Sequence, residues 1–151
     1  MTEAPSHHAL AREFRGHLAR QEMLCDRLER LADSLPDSLN VQESLYVAQS
    51  LLPTVMQAHR FEEDKAFPLL RQMREASTLP STLDRLGFEH MGDEEYAHDI
   101  ILALRAYVSD RRGANAETLA WMMRGFFEAL RRHIAFEREH IVPLLERERP
   151  S

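Results

Sequence analysis

Four of the eight histidines in this chain lie where helical core residues are expected. His17, His59, His90 and His133 each fall within a series of apolar residues that recurs every three or four positions, the spacing of one helix face. Imidazole nitrogen is a common ligand of iron, zinc, copper and nickel in proteins. A single histidine on such a face is more often an ordinary core residue, so the prediction of a metal site depends on all four together.

Two glutamates add carboxylates to the same helix faces. Glu63 follows His59 by four residues, and Glu137 follows His133 by four. Four residues turn a helix by ~400°, so each carboxylate stacks on its histidine. This spacing alone is also common in surface salt bridges. Burying such charges without a cation costs several kcal/mol each, and a shared pair of divalent ions would offset that cost.

The elements that position these residues are four amphipathic stripes separated by polar breaks. The breaks contain prolines, Gly113 and the predicted N-cap residues Asn40 and Asn115. We therefore predict a single all-α domain over residues 1–151, folded as an antiparallel up-down-up-down four-helix bundle. The predicted helices span about 7–34, 41–76, 80–112 and 115–148.

The spacing of the histidines predicts that they meet at one height in this bundle. Residues equidistant from the turn of an antiparallel hairpin lie level, because both helices rise ~1.5 Å per residue. The midpoint of each successive histidine pair falls in or at the edge of a predicted turn. The four imidazoles should therefore converge on one layer of the core.

Composition excludes several other classes of protein. The 19 Lys and Arg residues are outnumbered by 25 Asp and Glu residues, which argues against a nucleic-acid partner. Cys25 is the single cysteine, so no intrachain disulfide can form. No run approaches the ~18 apolar residues of a membrane span, and no apolar leader is evident. These features predict a cytoplasmic protein with no membrane partner.

The ordered histidine and glutamate motifs resemble the hemerythrin-like (HHE cation-binding) family over about residues 7–148. The matching pieces are His17, the segment 59–63 followed by Phe-Pro-Leu-Leu, Glu89 with His90, and the segment 133–137 followed by Val-Pro-Leu-Leu. Any one piece is unspecific, whereas their order along the chain is specific.

This resemblance implies a non-haem centre of two iron ions joined by an oxo or hydroxo bridge. Glu63 and Glu137 would bridge the two irons, and manganese or zinc would be less favoured occupants. The implied metal ligands are His17, His59, Glu63, His90, His133 and Glu137.

Two positions depart from the oxygen-carrying hemerythrins, which have H-x3-H on the third helix and H-x4-D on the fourth. Here Glu94 lies four residues after His90, and Arg138 lies five after His133. The departures disfavour simple reversible oxygen transport. They favour relatives with two H-x3-E motifs, which are linked to iron and oxygen sensing or to nitrosative and oxidative stress.

Three further residues stay open as ligands. Pro68 is nine residues after His59 whereas Pro143 is ten after His133, so alignment on the prolines selects Glu62 in place of Glu63. We prefer Glu63 because it stacks on His59. Glu94 shares a face with His90, and His140 lies two turns beyond His133; for both, a role outside the ligand set is favoured.

The leading functional hypothesis is a di-iron protein, monomer or homodimer, that binds or reacts with oxygen, peroxide or nitric oxide and draws on a redox partner. One alternative is an iron or oxygen sensor, or an iron donor, that acts through a partner protein. Another is a structural bundle that is metal-free or binds zinc. No acid for catalytic proton transfer is evident, so enzymatic activity stays an open question.

Overall fold

The computed structural model describes residues 6–73, 78–112 and 115–147, and every element within them is helical. This confirms the predicted all-α class. The chain forms α1 (His7–Ser34), α2 (Val41–Phe61), a first π-helical turn (Glu62–Ala66), α3 (Phe67–Arg71), α4 (Leu79–Ser109), α5 (Ala116–Phe136), a second π-helical turn (Glu137–Ile141) and α6 (Val142–Arg147). None of these described helices combines the length and apolarity needed to cross a bilayer.

Asparagine side chains begin two of the long helices, as the sequence predicts. The Asn40 side-chain oxygen accepts a hydrogen bond from the Glu43 backbone N–H at 2.9 Å. Asn115 does the same for the Thr118 N–H at 3.1 Å. Each cap satisfies a backbone donor that has no partner within the helix.

Ion pairs show that α1 runs antiparallel to α5 and α6. As residue numbers rise along α1, those of the partners fall, and the closest N···O distances are 2.5–2.8 Å. The pairs are Arg15–Glu146, Glu22–Arg138, Asp26–Arg131 and Asp33–Arg124.

The long helices close a ring around one apolar core. Contacts join α1 to α2, α2 to α4, α4 to α5, and α5 back to α1. Between α4 and α5, for example, the Tyr96 hydroxyl donates to the Met122 carbonyl at 2.9 Å. This arrangement is consistent with the predicted up-down-up-down bundle.

Two π-helical turns interrupt helices that the sequence predicts to be continuous. In each turn a backbone N–H bonds to a carbonyl five residues earlier, from Phe67 to Glu62 and from Val142 to Glu137. A proline follows each of these donors at once. Because a proline ring clashes with the carbonyl four residues before it and lacks an N–H, a wider turn relieves the conflict.

The ends of two helices also differ from prediction. The helix predicted to reach 76 ends at Arg71, and residues 74–77 lie outside the described residues. The helix predicted for 80–112 ends at Ser109.

Candidate metal centre

Three of the four predicted histidines meet in the bundle core. The His59 and His90 rings stack with centroids 3.8 Å apart, and the His133 ring meets His90 edge-on at 6.0 Å. They come from α2, α4 and α5 respectively. The predicted convergence of four imidazoles is therefore confirmed for these three.

His17 lies apart from this three-ring contact in the described part of the chain. Its ring packs on Phe61, with centroids 4.9 Å apart, and its Nδ1 lies 3.1 Å from the Arg20 guanidinium. The side chain is only partly buried. Burial and the nearby Arg20 charge lower the pKa of His17, which keeps its imidazole neutral.

Glu62, not Glu63, carries the buried carboxylate of the segment after His59. The Glu62 side chain is 2% exposed, whereas that of Glu63 is 49% exposed. The expectation that Glu63 faces the interior is wrong, because the π-helical turn that begins at Glu62 alters the regular helical stacking on which it rested. Glu63 still reaches the edge of the cluster, with Oε1 2.9 Å from His90 Nδ1.

Glu137 occupies the corresponding place on the fourth helix. It is fully buried, and its carboxylate contacts His133 Nε2. Glu62 and Glu137 each begin a π-helical turn and each precede a proline by six residues. The proline register was therefore the sequence signal that identifies Glu62.

Ligand atoms of three residues already lie within one coordination sphere. One atom each from Glu62, His90 and His133 lies within 4.8 Å of the others, and Glu62 Oε1 is 3.4 Å from His90 Nε2. Carboxylate oxygen and imidazole nitrogen together suit iron, manganese or zinc.

Polar atoms without hydrogen bonds are concentrated at this cluster. Of eight such buried side-chain atoms among the described residues, seven belong to His59, Glu62, His90, His133 and Glu137. An unpaired buried polar group costs about 1–3 kcal/mol, so a folded chain rarely collects seven together. Cations would satisfy these lone pairs at once, so the donor set fits bound metal.

The charge states of the metal-free cluster support this fit. Burial, together with the neighbouring His90 and His133, lowers the pKa of His59 to about 2, so its ring stays neutral and keeps a lone pair. Burial raises the pKa of Glu62, and the nearby Glu137 carboxylate raises it further. Both effects favour the protonated form of Glu62 in the absence of a cation.

The pKa values of Glu137 and His133 shift in opposite directions because the two side chains are in contact. Burial alone would raise the pKa of Glu137, but contacts with Glu62 and His133 outweigh it and lower the pKa. Burial would likewise lower the pKa of His133, but Glu137 raises it. The contact thus favours the charged form of each group.

A cleft between α4 and α5 leads to His133. Its volume is about 370 Å³, and its walls include Glu89, Asp93, Ala129 and Arg132. Asp93 is an acidic group beside the centre that the sequence analysis missed; burial raises its pKa. Its position three residues after His90, on a neighbouring part of the helix face, was the available signal.

The remaining candidates fall outside the buried cluster. Glu94 Oε1 lies 3.5 Å from His59 Nδ1, and its side chain is 31% exposed. His140 is exposed and lies against Phe136. Gln21 of α1 is buried, and its side-chain oxygen is the eighth atom without a hydrogen bond.

A family model described as the hemerythrin HHE cation binding domain matches residues 14–145. The chain belongs to this hemerythrin family. The match confirms the resemblance seen in the motifs and includes every residue of the buried cluster. Comparison with curated proteins and with solved structures finds no significant match. The hemerythrin HHE domain is by its description a cation-binding domain, and the His–Glu cluster is its candidate metal site in this chain.

Proposed function

We propose that this hemerythrin domain holds two iron ions in a non-haem centre that binds or reacts with a small oxidant such as oxygen, peroxide or nitric oxide. The observation that carries the proposal is the set of seven buried polar atoms that lack hydrogen bonds. The proposed ligands are His59, Glu62, His90, His133 and Glu137 of the buried cluster. The resemblance to the family adds His17 as a sixth, although its ring packs on Phe61 apart from the other three. We place the protein in the cytoplasm, with a redox partner, as a monomer or homodimer.

The proposed set replaces Glu63 with Glu62 as the bridging partner of Glu137. A bridging carboxylate must reach both ions inside the core, and burial favours Glu62 for that role. Imidazole nitrogen suits iron, and the two carboxylates add oxygen ligands to a set rich in imidazole. Manganese and zinc are the less favoured occupants.

Bound iron would supply redox change and open coordination positions for an exogenous ligand. The chain's own residues prepare the site for it. Glu62 and Glu137 would offset the positive charge of the ions, and the neutral His59 ring would offer its lone pair. The cleft beside His133 exposes one side of the centre to small solutes, with Asp93 in its wall.

The decisive experiment is iron reconstitution under anaerobic conditions, followed by metal analysis and an optical spectrum after oxidation. We expect two irons per chain and near-ultraviolet absorption from a bridged ferric pair. Glu137→Gln should lose at least one iron, while Glu139→Gln, a matched change at an exposed neighbour, should retain both. A wild-type chain that takes up no iron, or a Glu137→Gln variant that retains two, would overturn the proposal.

Access through the cleft can be tested with azide, a small anion that binds ferric iron. Ala129→Phe places a ring in the cleft wall, whereas Ala135→Phe changes an exposed alanine of the same helix. We expect Ala129→Phe to slow azide binding about tenfold in stopped-flow measurements, with iron content unchanged and Ala135→Phe at the wild-type rate. Equal rates in all three proteins would contradict the cleft as the access route.

A further inference from the structure

Each buried histidine of the cluster presents its outer ring nitrogen to a carboxylate. His90 Nδ1 lies 2.9 Å from Glu63, and His59 Nδ1 lies 3.5 Å from Glu94. His133 Nδ1 lies 3.8 Å from Glu89. Each of the three histidines therefore has a carboxylate near its Nδ1 atom.

These outer carboxylates differ from the buried pair in both exposure and origin. Their side chains are 31–49% exposed, whereas those of Glu62 and Glu137 are at most 2% exposed. Each outer carboxylate belongs to a different helix from the histidine it faces. Glu63, in the π-helical turn that follows α2, faces His90 of α4. The partners Glu89 and Glu94 of α4 face α5 and α2.

The inner ring nitrogens lie in the buried cluster. Nε2 of His59 makes no hydrogen bond with the described residues, Nε2 of His90 lies 3.4 Å from Glu62, and Nε2 of His133 contacts Glu137. A neutral imidazole carries one proton, and the nitrogen that lacks it is the one that can bind a metal. A carboxylate beside Nδ1 favours the proton there and leaves the lone pair on Nε2.

We propose that Glu63 and Glu94 are positioning residues that hold His90 and His59 in the Nδ1–H form, with Nε2 directed to the cations. The inference rests on the proposed metal centre and deepens it. It assigns Glu63 and Glu94 an orienting role outside the ligand set. It also links α4 to α2 and its π-helical turn through two of the proposed ligands.

The outer carboxylates also set the electronic properties of the centre. A negatively charged acceptor on Nδ1–H makes the ring a stronger donor, which favours the ferric over the ferrous state. Loss of such a partner typically weakens metal binding 10–100-fold. The effect should be largest for Glu63, because it makes the shortest of the three contacts.

The first test uses metal-free protein and does not depend on iron. Nitrogen-15 NMR of the histidine side chains at pH 8 should show His90 and His59 protonated on Nδ1. Glu63→Leu should remove this preference at His90 and leave it at His59. Wild-type rings protonated on Nε2, or an unchanged His90 in Glu63→Leu, would overturn the inference.

The second test uses iron-loaded protein. Glu63→Gln should retain two irons, release them to a chelator 10–100-fold faster, and show a higher reduction potential than wild type. Glu95→Gln, the same change at an exposed residue of α4, should match wild type.

Two results of the iron experiment would contradict the inference. Loss of iron in Glu63→Gln to the extent seen in Glu62→Gln would make Glu63 a ligand. Identical release rates and potentials in Glu63→Gln and Glu95→Gln would remove its positioning role. A wild-type chain without iron affinity would instead defeat the proposed function, and the NMR tautomers would still decide the orientation of the rings.

Discussion

Adjacent glutamates have opposite environments at the edge of the metal layer. Glu62 lies inside, beside Glu137, and Glu63 lies outside, beside His90 Nδ1. The sequence correctly predicts an acidic group on this helix face. Regular α-helical geometry, however, favours Glu63, and the buried residue is Glu62. Helical periodicity predicts which face of a helix is buried. It does not decide which of two adjacent glutamates at the edge of that face is buried, because that depends on contacts with other helices.

Gln21 is a residue whose burial carries a stability cost in the metal-free protein. Its side-chain oxygen is buried without a hydrogen bond. We expect Gln21→Leu to raise the free energy of unfolding by about 1 kcal/mol. Leucine of similar volume removes the unpaired amide oxygen and gives up only the long 3.5 Å hydrogen bond from the amide nitrogen to the His17 carbonyl. Urea denaturation with chelator present measures this change. Gln49→Leu at an exposed position is the control, and a destabilised Gln21→Leu would contradict the prediction.

Cys25 gives the protein a specific dependence on alkaline pH. Burial raises the pKa of its thiol to about 12. An unfolded cysteine ionises near pH ~8.5, so between these values the native state holds one proton more than the unfolded state. The free energy of unfolding should therefore fall as pH rises, by up to ~1.4 kcal/mol per pH unit from this group.

The comparison that isolates this effect is wild type against Cys25→Ala in urea titrations from pH 8 to 10.5. The wild-type curve should fall more steeply, and the native thiol should resist a disulfide reagent at pH 8 until urea unfolds the chain. Parallel pH dependences in the two proteins, or rapid reaction of the native thiol, would count against the prediction.

At the scale of elements, the two π-helical turns form a matched pair. Each begins at a buried glutamate and ends just before a residue that directly precedes proline. The wider turn accommodates the proline ring, and the apolar residues Phe67 and Val142 stay buried beyond it. A π-helical turn within an α-helix is frequent at functional sites, and here both lie at the metal layer.

The Asn40 side chain caps the start of α2 with one hydrogen bond. Asn40→Ala removes the side-chain acceptor of the Glu43 N–H and should lower the free energy of unfolding by about 1 kcal/mol. Asn40→Asp restores an acceptor and should recover most of the loss. Urea denaturation of both variants is the measurement. Equal losses in the two would show that the cap does not stabilise this helix.

At the scale of the whole molecule, the cluster of buried histidines and glutamates should affect stability in opposite ways with and without metal. Buried carboxyl and imidazole atoms without hydrogen bonds weaken the metal-free core, and bound cations would join the helices through the same atoms. The ion pairs between α1 and the α5–α6 rod lie on the surface, where each contributes ~0–1 kcal/mol. The buried cluster should therefore affect the free energy of unfolding more than the surface ion pairs do.

Iron should accordingly stabilise the native protein. Free metal at 100 times its dissociation constant contributes ~2.7 kcal/mol, which for a chain of this size raises Tm by about 5–10 °C. Thermal unfolding followed by circular dichroism, with and without anaerobic ferrous iron, measures the shift. Glu139→Gln should show the full increase and Glu137→Gln a smaller one. A wild-type Tm that is the same with and without iron would contradict the prediction.

The amino-acid sequence by itself determined the helical class, the capped helix starts and the histidines of three helices that meet in the core. These follow from local periodicity and from the constant rise of paired helices. Only the tertiary structure placed His17 against Phe61, selected Glu62 over Glu63, and set Glu63, Glu89 and Glu94 beside histidines of neighbouring rods. Those outcomes depend on how proline rings and apolar side chains adjust the turns and on distances between helices, which the spacing of residues along one helix does not encode.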